Sequence, residues 1–304
     1  MPRRILIPLA AGLLAAALCL AVLWPLGHAA DLTWPLRGAR QLLAGHNSYA
    51  DPALGPGRDY PADAPLYYPL PALLLVLPLT PLPDPIAAAL FIGLSVALLT
   101  YAHRTHPALL GMLLSAPLWV AVVYGQWSPL LTAAAGLPWL GCILAAKPSI
   151  GAALWLARPA RRALLAGAGI VLISLLVWPQ WPLAWLTNVG AGRHTAPILT
   201  LPLLALGLLR WKDDRARLIL LLSLAPQFAG SSYDHLPLWL AMRTPRQALA
   251  LAVASWTGVV LDAALGWEWA LVVSTYGVAL AIVWWDKDQG SDRQNRIEDR
   301  VTNA

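Results

Sequence analysis

Charged side chains are scarce in this chain, and their scarcity excludes an ordinary soluble domain. Only 12% of the 304 residues are Asp, Glu, Lys or Arg, whereas a soluble domain carries about a quarter. The two cysteines, Cys19 and Cys142, both lie inside apolar runs, which argues against a disulfide framework. Walker-type and Rossmann-type glycine patterns are also missing from the sequence, as is Cys/His metal spacing. A membrane protein is the class that these absences leave.

Long apolar runs are what the sequence has instead. Hydrophobic residues make up 59% of the chain and the mean hydropathy is +0.61. We therefore predict an all-α, polytopic integral membrane protein, with about 10–12 transmembrane or part-spanning helices in one domain over residues 1–285. The apolar runs are Ile5–Leu26, Tyr68–Leu82, Ile86–Tyr101, Ala108–Tyr124, Pro129–Ala146, Ser149–Ala157, Ala163–Trp178, Pro197–Leu209, Leu218–Phe228, Leu236–Met242, Ala248–Leu265 and Ala270–Trp285.

The first run could be a signal peptide or an uncleaved helix. Ile5–Leu26 is longer than the apolar core of about 7 to 15 residues that signal peptides have, and His28 interrupts a small-residue cleavage pattern. We favour the uncleaved helix.

The length of two runs predicts that not every run crosses the membrane alone. Ser149–Ala157 and Leu236–Met242 are too short, because nine residues rise only about 14 Å as a helix. We expect them to belong to broken helices that line a cavity. Tyr68–Leu82 and Ile86–Tyr101 are joined by a proline-rich turn, which predicts a tight helical hairpin.

Basic residues predict the orientation. The net charge of +6 does not indicate nucleic-acid binding, because the basic residues form short clusters between apolar runs. Placing both termini in the cytoplasm puts fifteen of the 21 Lys and Arg residues inside, as the positive-inside rule prefers. The segment 31–67 is then the first outer loop. The side of Gly125-Gln126 stays open, because residues 124–147 could hold one helix or two. The charged tail 286–304 is expected to be cytoplasmic and disordered.

The first outer loop contains an amphipathic pattern. Leu32, Leu36, Ala39 and Leu43 recur at helical spacing and Gly45 follows, which predicts an interfacial helix directly after Asp31. Asp31 is then either a functional carboxylate or the cap of that helix in a solvated loop. Asp51, Asp59 and Asp63 are expected to be solvated loop charges.

Polar residues between apolar runs are the remaining candidates, because a charge at membrane depth costs on the order of 3 kcal/mol. Gln126 could equally be a satisfied amide at a helix end, and Lys147 could be a snorkelling anchor. An interfacial hydrogen bond is the alternative role for Asp234 and His235. The full set is Gln126, Lys147, Arg193, His194, Asp234 and His235.

The order of these motifs resembles the GT-C superfamily of membrane glycosyltransferases, in particular glycosyltransferase family 87, the polyprenol-phosphate-dependent mannosyltransferases. Pro35 and Leu70 depart from the family pattern. The resemblance covers roughly residues 5–265 and rests on Asp31, Ala39, Leu42, Leu43, Gly45, Tyr49, Tyr68-Pro69-Leu70, Gly125-Gln126, Lys147-Pro148 and Ser232-Tyr233-Asp234-His235.

The resemblance implies transfer of a hexose, with mannose expected, from a polyprenyl-phosphate donor to an envelope glycan, glycolipid or lipid acceptor. Asp31 would be the general base of an inverting reaction in a bacterial cell membrane, with the active site on the extracytoplasmic face. No cofactor or divalent metal is expected. The donor-phosphate candidates are Lys147, Arg193, His194 and His235, and the substrate-contact candidates are Tyr49, Tyr68, Gln126 and Asp234.

Two other functions remain open at this point. Broken helices and an intramembrane lysine would also serve a transporter or lipid flippase. A non-catalytic envelope assembly protein could keep the same fold. The sequence shows neither the inverted repeat that many transporters have nor the identity of the sugar, the acceptor or the oligomeric state.

Overall fold

The computed structural model describes residues 3–50, 65–190, 192, 194–228 and 230–286, with side chains from residue 5 onward. Arg193, the three loop carboxylates Asp51, Asp59 and Asp63, and the tail from 287 therefore lie outside the described residues. The protein is all-α, with 78% helix and 2% strand.

Most of the elements are short helices. The α-helices are α1 (Arg3–Leu23), α2 (Thr33–Leu43), α3 (Leu70–Val76), α4 (Asp84–Ala102), α5 (Leu109–Leu114), α6 (Ala116–Val123), α7 (Ser128–Gly136), α8 (Pro148–Ala157), α9 (Arg161–Val177), α10 (Trp181–Gly190), α11 (Pro197–Thr200), α12 (Asp214–Leu224), α13 (Pro245–Leu265) and α14 (Glu268–Val272). The 3₁₀ helices are Trp24–Leu26, Ala30–Leu32, Leu77–Leu79, Pro138–Ala146, Pro202–Arg210 and Ser232–Ala241, and α14 continues through a π-helical turn, Val273–Gly277. Strands β1 (His194–Thr195) and β2 (Gln227–Phe228) pair antiparallel, with His194 opposite Phe228.

Among the described residues, four helices are long and apolar enough to cross a membrane: Ile5–Leu26, Asp84–Ala102, Pro245–Leu265 and Glu268–Asp286. A fifth crossing is possible if α9 and α10 form one span, although these helices are bent by 102° at their junction. The protein is therefore an all-α membrane protein. The remaining helices are too short to cross alone, which agrees with the expectation of part-spanning segments.

Contacts between helices define two ends of the molecule. Helices α1 and α4 run antiparallel, since Gly12 lies beside Ala97 and Gly93 lies beside Ala16, close enough that a Cβ on either glycine would clash. Small residues allow membrane helices to approach in this way. We call the end where α1 finishes, next to Asp31, the Asp31 end.

The opposite end is held together by arginines. Arg158 donates to Leu240 O at 2.8 Å, Arg217 donates to Ala157 O at 3.0 Å, and Arg215 forms a salt bridge with Asp286 at 2.8 Å. We call this the Arg158 end. The helix termini that meet there belong to α8, α12, the 3₁₀ helix Ser232–Ala241 and the last helix.

The predicted hairpin of Tyr68–Leu82 with Ile86–Tyr101 is present as two helical arms joined at residues 80–83, but its first arm does not pass between the two ends. Arg40 of α2 donates to Thr80 O (3.0 Å), Leu82 O (3.0 Å) and Asp84 Oδ1 (2.6 Å). The turn before α4 therefore lies at the Asp31 end. Helix α3 and the 3₁₀ turn after it cover only Leu70–Leu79, and the Arg40 contacts place the far end of this segment back at the Asp31 end, so it returns without crossing.

The region 124–147, where the sequence left one helix or two open, contains two passes. Helix α7 ends beside His103, where a Cβ on Gly136 would lie 2.8 Å from the imidazole. The 3₁₀ helix Pro138–Ala146 then returns to Lys147, next to Gln126. Pro138 cannot continue a helix from Gly136, so the chain reverses there.

One apolar run, Tyr68–Leu82, makes no pass, and another, Pro129–Ala146, makes two. The number of passes therefore equals the number of apolar runs. Over the described residues the chain passes between the two ends twelve times. The passes are α1, α4, α5 with α6, α7, 138–146, α8, α9, 197–210, α12, 232–241, α13 and 268–286. Both ends of the described chain therefore lie at the Arg158 end.

Candidate functional site

Asp31 is positioned by two interlocked turns at the Asp31 end. Its 3₁₀ turn, Ala30–Leu32, joins α1 to α2, and Ala30 adopts a left-handed φ of +48°. The Asp31 N–H donates to Tyr124 O at 3.0 Å. Gly125, with φ +64°, passes so close that a Cβ there would lie 2.8 Å from Ala29 O. A non-glycine residue in this region stores strain, which is concentrated at functional sites in many proteins.

Gln126 links Asp31 to Lys147. The Gln126 amide nitrogen donates to Asp31 Oδ2, and the amide oxygen accepts from Lys147 Nζ at 3.3 Å. Both neighbours agree with this orientation, because a carboxylate only accepts and an ammonium only donates. Gln126 is 1% exposed and Asp31 is 2% exposed, so this chain of contacts is shielded from solvent.

Asp234 is the counter-ion of Lys147. The two carboxylate oxygens lie 2.7 and 2.9 Å from Lys147 Nζ, and the Ser128 hydroxyl donates to Asp234 Oδ1 at 2.9 Å. The Lys147 side chain is 19% exposed, whereas that of Asp234 is 3% exposed. The ammonium is therefore the more accessible partner of a largely buried ion pair.

Tyr233 connects the ion pair back to Asp31. Its hydroxyl donates to Asp31 Oδ2 at 3.4 Å, and Lys147 Nζ lies 4.8 Å from the centre of its ring. One face of Tyr233 thus supplies a cation–π contact, while its hydroxyl reaches the carboxylate.

A cavity of about 320 Å³ opens onto this cluster. Its walls combine aromatic side chains with the ammonium of Lys147 and the carboxylate of Asp234, which is the mixture of apolar surface and a few polar groups typical of ligand sites. Tyr233 also lines the cavity, but Asp31 is not among the described lining residues. The aromatic lining comprises Trp34, Tyr67, Tyr68, Trp185, Phe228 and Tyr233.

Four of the predicted site residues meet here although they are far apart in sequence: Asp31, Gln126, Lys147 and Asp234. The contacts of the Asp31 carboxylate with Gln126 and Tyr233, 95 and 202 residues away, give it a role beyond that of a local helix cap. The contacts of Lys147 likewise differ from those of a snorkelling anchor, which would place its head in the interface.

Tyr68 and His194 line the same cavity. Tyr49 supports it indirectly, because its hydroxyl donates to Tyr68 O at 3.0 Å. The His194 ring packs edge-on against Phe228, with ring centres 5.4 Å apart. Burial lowers the pKa of His194, and the Lys147 charge acts in the same direction, against the raising influence of the Gly192 carbonyl and of Asp234. His194 is therefore neutral at pH 7 and offers a phosphate no charge.

His235 lies elsewhere. Its Nδ1 is 2.8 Å from Thr275 Oγ1, its ring packs edge-on against Tyr276, and it lines a different cavity. We therefore leave His235 out of the donor-phosphate site. The role predicted for Arg193 stays a prediction, since that residue is outside the described part of the chain.

Sequence reasoning assigned no role to Ser128 or Tyr233. Ser128 follows the Gly125-Gln126 motif and Tyr233 lies inside the Ser232–His235 motif, so proximity to those motifs was the available signal. The aromatic cavity walls carry no comparable signal in the sequence. Comparison with protein-family models, curated proteins and solved structures finds no match to this chain.

Proposed function

We propose that this protein is a membrane glycosyltransferase that moves a hexose from a polyprenyl-phosphate donor to an acceptor hydroxyl, with Asp31 as general base. The observation that supports it is the chain of contacts from the Asp31 carboxylate through Gln126 to the Lys147 ammonium at the mouth of an aromatic cavity. A base and a cation are thereby linked through one buried amide, with the cation facing the cavity.

Asp31 and Lys147 have different roles in the proposed reaction. The acceptor oxygen attacks the anomeric carbon, its proton passes to Asp31, and the bond from that carbon to the phosphate oxygen breaks with inversion. The phosphate leaves with the electron pair and remains attached to its lipid. Positive charge at the leaving phosphate is the stabilisation that the reaction needs, and Lys147 is the cation placed to supply it.

Access to Asp31 is controlled by Tyr233. The Tyr233 hydroxyl lies 3.4 Å from Asp31 Oδ2, whereas good O–H···O bonds measure about 2.5–3.0 Å. An acceptor hydroxyl can replace this long bond at little cost. Asp234 meanwhile holds the Lys147 ammonium beside the cavity.

The same observations also favour a second candidate, a transporter or flippase for a lipid-linked sugar. The 102° bend between α9 and α10 and the buried Lys147–Asp234 pair are both compatible with a substrate path. The two candidates differ in whether the bond between sugar and phosphate is broken.

The decisive experiment measures release of polyprenyl phosphate from a polyprenyl-phosphate hexose by the protein in lipid nanodiscs, with envelope extract as acceptor. Asp31→Asn should lower the rate by at least about a hundredfold, because it removes a general base. Lys147→Met should weaken donor binding by about 2 kcal/mol, and Lys147→Arg should retain more of it. Asp214→Asn is the control, since Asp214 is an exposed carboxylate paired with Arg217.

Near-parental release by folded Asp31→Asn protein would contradict the mechanism. Movement of intact donor across a proteoliposome membrane, with no bond broken by the parental protein, would favour the transporter instead.

A further inference from the structure

A second cavity lies on the other side of the β1–β2 pair. Its volume is about 350 Å³, and Gln227 and Phe228 of β2 line both this cavity and the first one. The two cavities therefore share a wall of two residues. The second cavity is also lined by His235, Glu268 and Trp269.

Gln227 presents a buried hydrogen-bond acceptor. The residue is 5% exposed, and its amide nitrogen donates to the Tyr276 hydroxyl at 2.6 Å and to Leu222 O at 3.3 Å. These contacts fix the amide orientation, because the Tyr276 hydroxyl itself donates to Leu222 O. The amide oxygen has no partner among the described residues, which is unusual for a buried polar atom.

His235 presents another acceptor. The Thr275 hydroxyl donates to Leu271 O at 2.6 Å, so it accepts at the 2.8 Å contact with His235 and the His235 Nδ1–H is the donor. In a neutral imidazole the other nitrogen is then an acceptor. The histidine thus offers a ligand a lone pair rather than a proton.

Glu268 completes the set with an exposed carboxylate at the first residue of α14. The described lining residues of this cavity include neither Lys nor Arg. A phosphate would therefore meet the Glu268 carboxylate with no cation to offset the repulsion. A ligand with several hydroxyl groups suits this lining better, because it can donate to Gln227, His235 and Glu268 and accept from the hydroxyls of Thr195 and Thr200. Phe228 and Trp269 add apolar ring faces, which suit the C–H face of a sugar better than a small ammonium ion.

A third cavity, of about 370 Å³, connects this region to the Asp31 end. It shares Phe228, Gly230, Ser231 and Leu271 with the second cavity, and it is also lined by Tyr124 and Tyr233. These two tyrosines contact Asp31 through a backbone carbonyl and a hydroxyl, respectively. A ligand in the second cavity can thus extend toward Tyr124 and Tyr233, the two residues that contact Asp31.

We propose that the second cavity binds a neutral polyhydroxy ligand, the sugar of the glycosyl acceptor. Its role as acceptor site rests on the proposed transferase function, whereas binding itself does not. Phosphate-bearing donor and uncharged acceptor are then separated by charge, with Lys147 in the first cavity and Glu268 in the second.

Saturation-transfer NMR with the protein in deuterated nanodiscs tests the binding, using methyl α-D-mannopyranoside and a panel of other methyl hexosides as probes. The parental protein should give a saturable signal. Glu268→Gln should weaken it about tenfold, because a hydrogen bond to a charged group is lost, and Trp269→Ala should weaken it as well. Glu268 and Trp269 are both exposed, so these variants should fold. Asp214→Asn is again the control.

The binding proposal is overturned if no methyl hexoside gives a saturable signal, if Glu268→Gln and Trp269→Ala both bind like the parent, or if ethanolamine binds and displaces the hexoside. The same titration with Asp31→Asn should match the parent. If Asp31→Asn loses transfer but Glu268→Gln and Trp269→Ala both bind the hexoside like the parent, the cavity assignment is wrong and the transferase mechanism stands. If Asp31→Asn transfers like the parent and hexoside binding depends on Glu268, the transferase mechanism is wrong and the cavity assignment stands.

Discussion

The Lys147 ammonium is held by neighbouring side chains and also faces the cavity where a ligand would bind. Asp234 contacts it through both carboxylate oxygens and Gln126 contacts it through an amide oxygen. A buried ion pair adds little net stability relative to apolar residues, but removing one partner costs about 3–5 kcal/mol because the other charge is left uncompensated. The pair is therefore better explained as a device that holds the ammonium in place. Activity losses in Lys147 variants must accordingly be read beside their melting temperatures.

The turn after α4 gives a pH-dependent prediction at residue scale. His106 Nδ1 accepts from the Ala108 N–H at 3.2 Å. Burial, followed by the nearby His103 and Arg158, lowers the pKa of His106 from 6.5 to about 4. Between these values the unfolded chain binds a proton that the folded chain does not, so the free energy of unfolding falls as the pH drops from 6.5 to 4. The slope is below about 1.4 kcal/mol per pH unit, and less because His106 is only half-buried.

Thermal unfolding of detergent-purified protein from pH 7.5 to 4.5 measures this loss. His106→Asn keeps an acceptor for Ala108 but does not titrate, so its melting temperature should fall less on acidification than that of the parent. His46→Asn, at an exposed histidine, should follow the parent. Equal acid sensitivity of His106→Asn and the parent would contradict the assignment.

Adjacent residues in a short motif show why side-chain direction could not be predicted from the sequence. Asp234 and His235 were expected to face one site, but they lie in the 3₁₀ helix Ser232–Ala241. Three residues per turn separate neighbouring side chains by about 120°. Asp234 therefore reaches Lys147 while His235 reaches Thr275. An α-helix would separate these neighbours almost as widely, by about 100°. What the sequence does not reveal is which elements pack on each side of this helix.

Elements were predictable where apolar runs lack internal proline. Ala248–Leu265 was predicted within three residues of α13 at its start and to the residue at its end. Ala108–Tyr124 breaks into α5 and α6 at Ser115, whose hydroxyl accepts from the Leu118 N–H as a helix cap, ahead of Pro117. Periodicity does not distinguish one interrupted helix from two, because both present the same apolar residues.

The approach of two turns around Asp31 gives a prediction at the scale of an element. Gly125→Ala would place a Cβ 2.8 Å from Ala29 O at a φ of +64°. Gly27→Ala is a matched control, since Gly27 has a φ of +68° but no atom within 4 Å of the added Cβ. The left-handed backbone alone costs about 1–2 kcal/mol for a non-glycine residue, so Gly27→Ala should lose that amount. Gly125→Ala should lose more, because the clash also separates Asp31 from Gln126.

Melting temperature and transfer rate together measure the difference between the two variants. Gly125→Ala should have the lower melting temperature and little transfer, whereas folded Gly27→Ala should retain transfer. Equal shifts in the two melting temperatures would mean that the close approach of the turns contributes nothing.

At the scale of the whole molecule, the fold separates two kinds of polar residue. Basic residues that the positive-inside rule assigned to the cytoplasm meet at the Arg158 end through Arg158, Arg210, Arg215 and Arg217. The candidate site, with its two cavities, lies toward the opposite end. The fold therefore groups at one end the basic residues that the positive-inside rule grouped, while the side of the membrane that this end faces stays a prediction.

This separation predicts which positions an impermeant thiol reagent can reach in intact cells. In a background with Cys19 and Cys142 replaced by Ala, His46→Cys should react at the Asp31 end, and Lys212→Cys at the Arg158 end should react only after permeabilisation.

Pro81→Cys distinguishes this fold from one in which both arms of the hairpin cross the membrane. Pro81 is exposed in the turn that Arg40 holds at the Asp31 end. It should therefore react in intact cells, whereas a crossing at Tyr68–Leu82 would protect it. Protection of Pro81→Cys together with reaction of His46→Cys would restore that crossing. Protection of His46→Cys together with reaction of Lys212→Cys would invert the protein and place Asp31 on the cytoplasmic side.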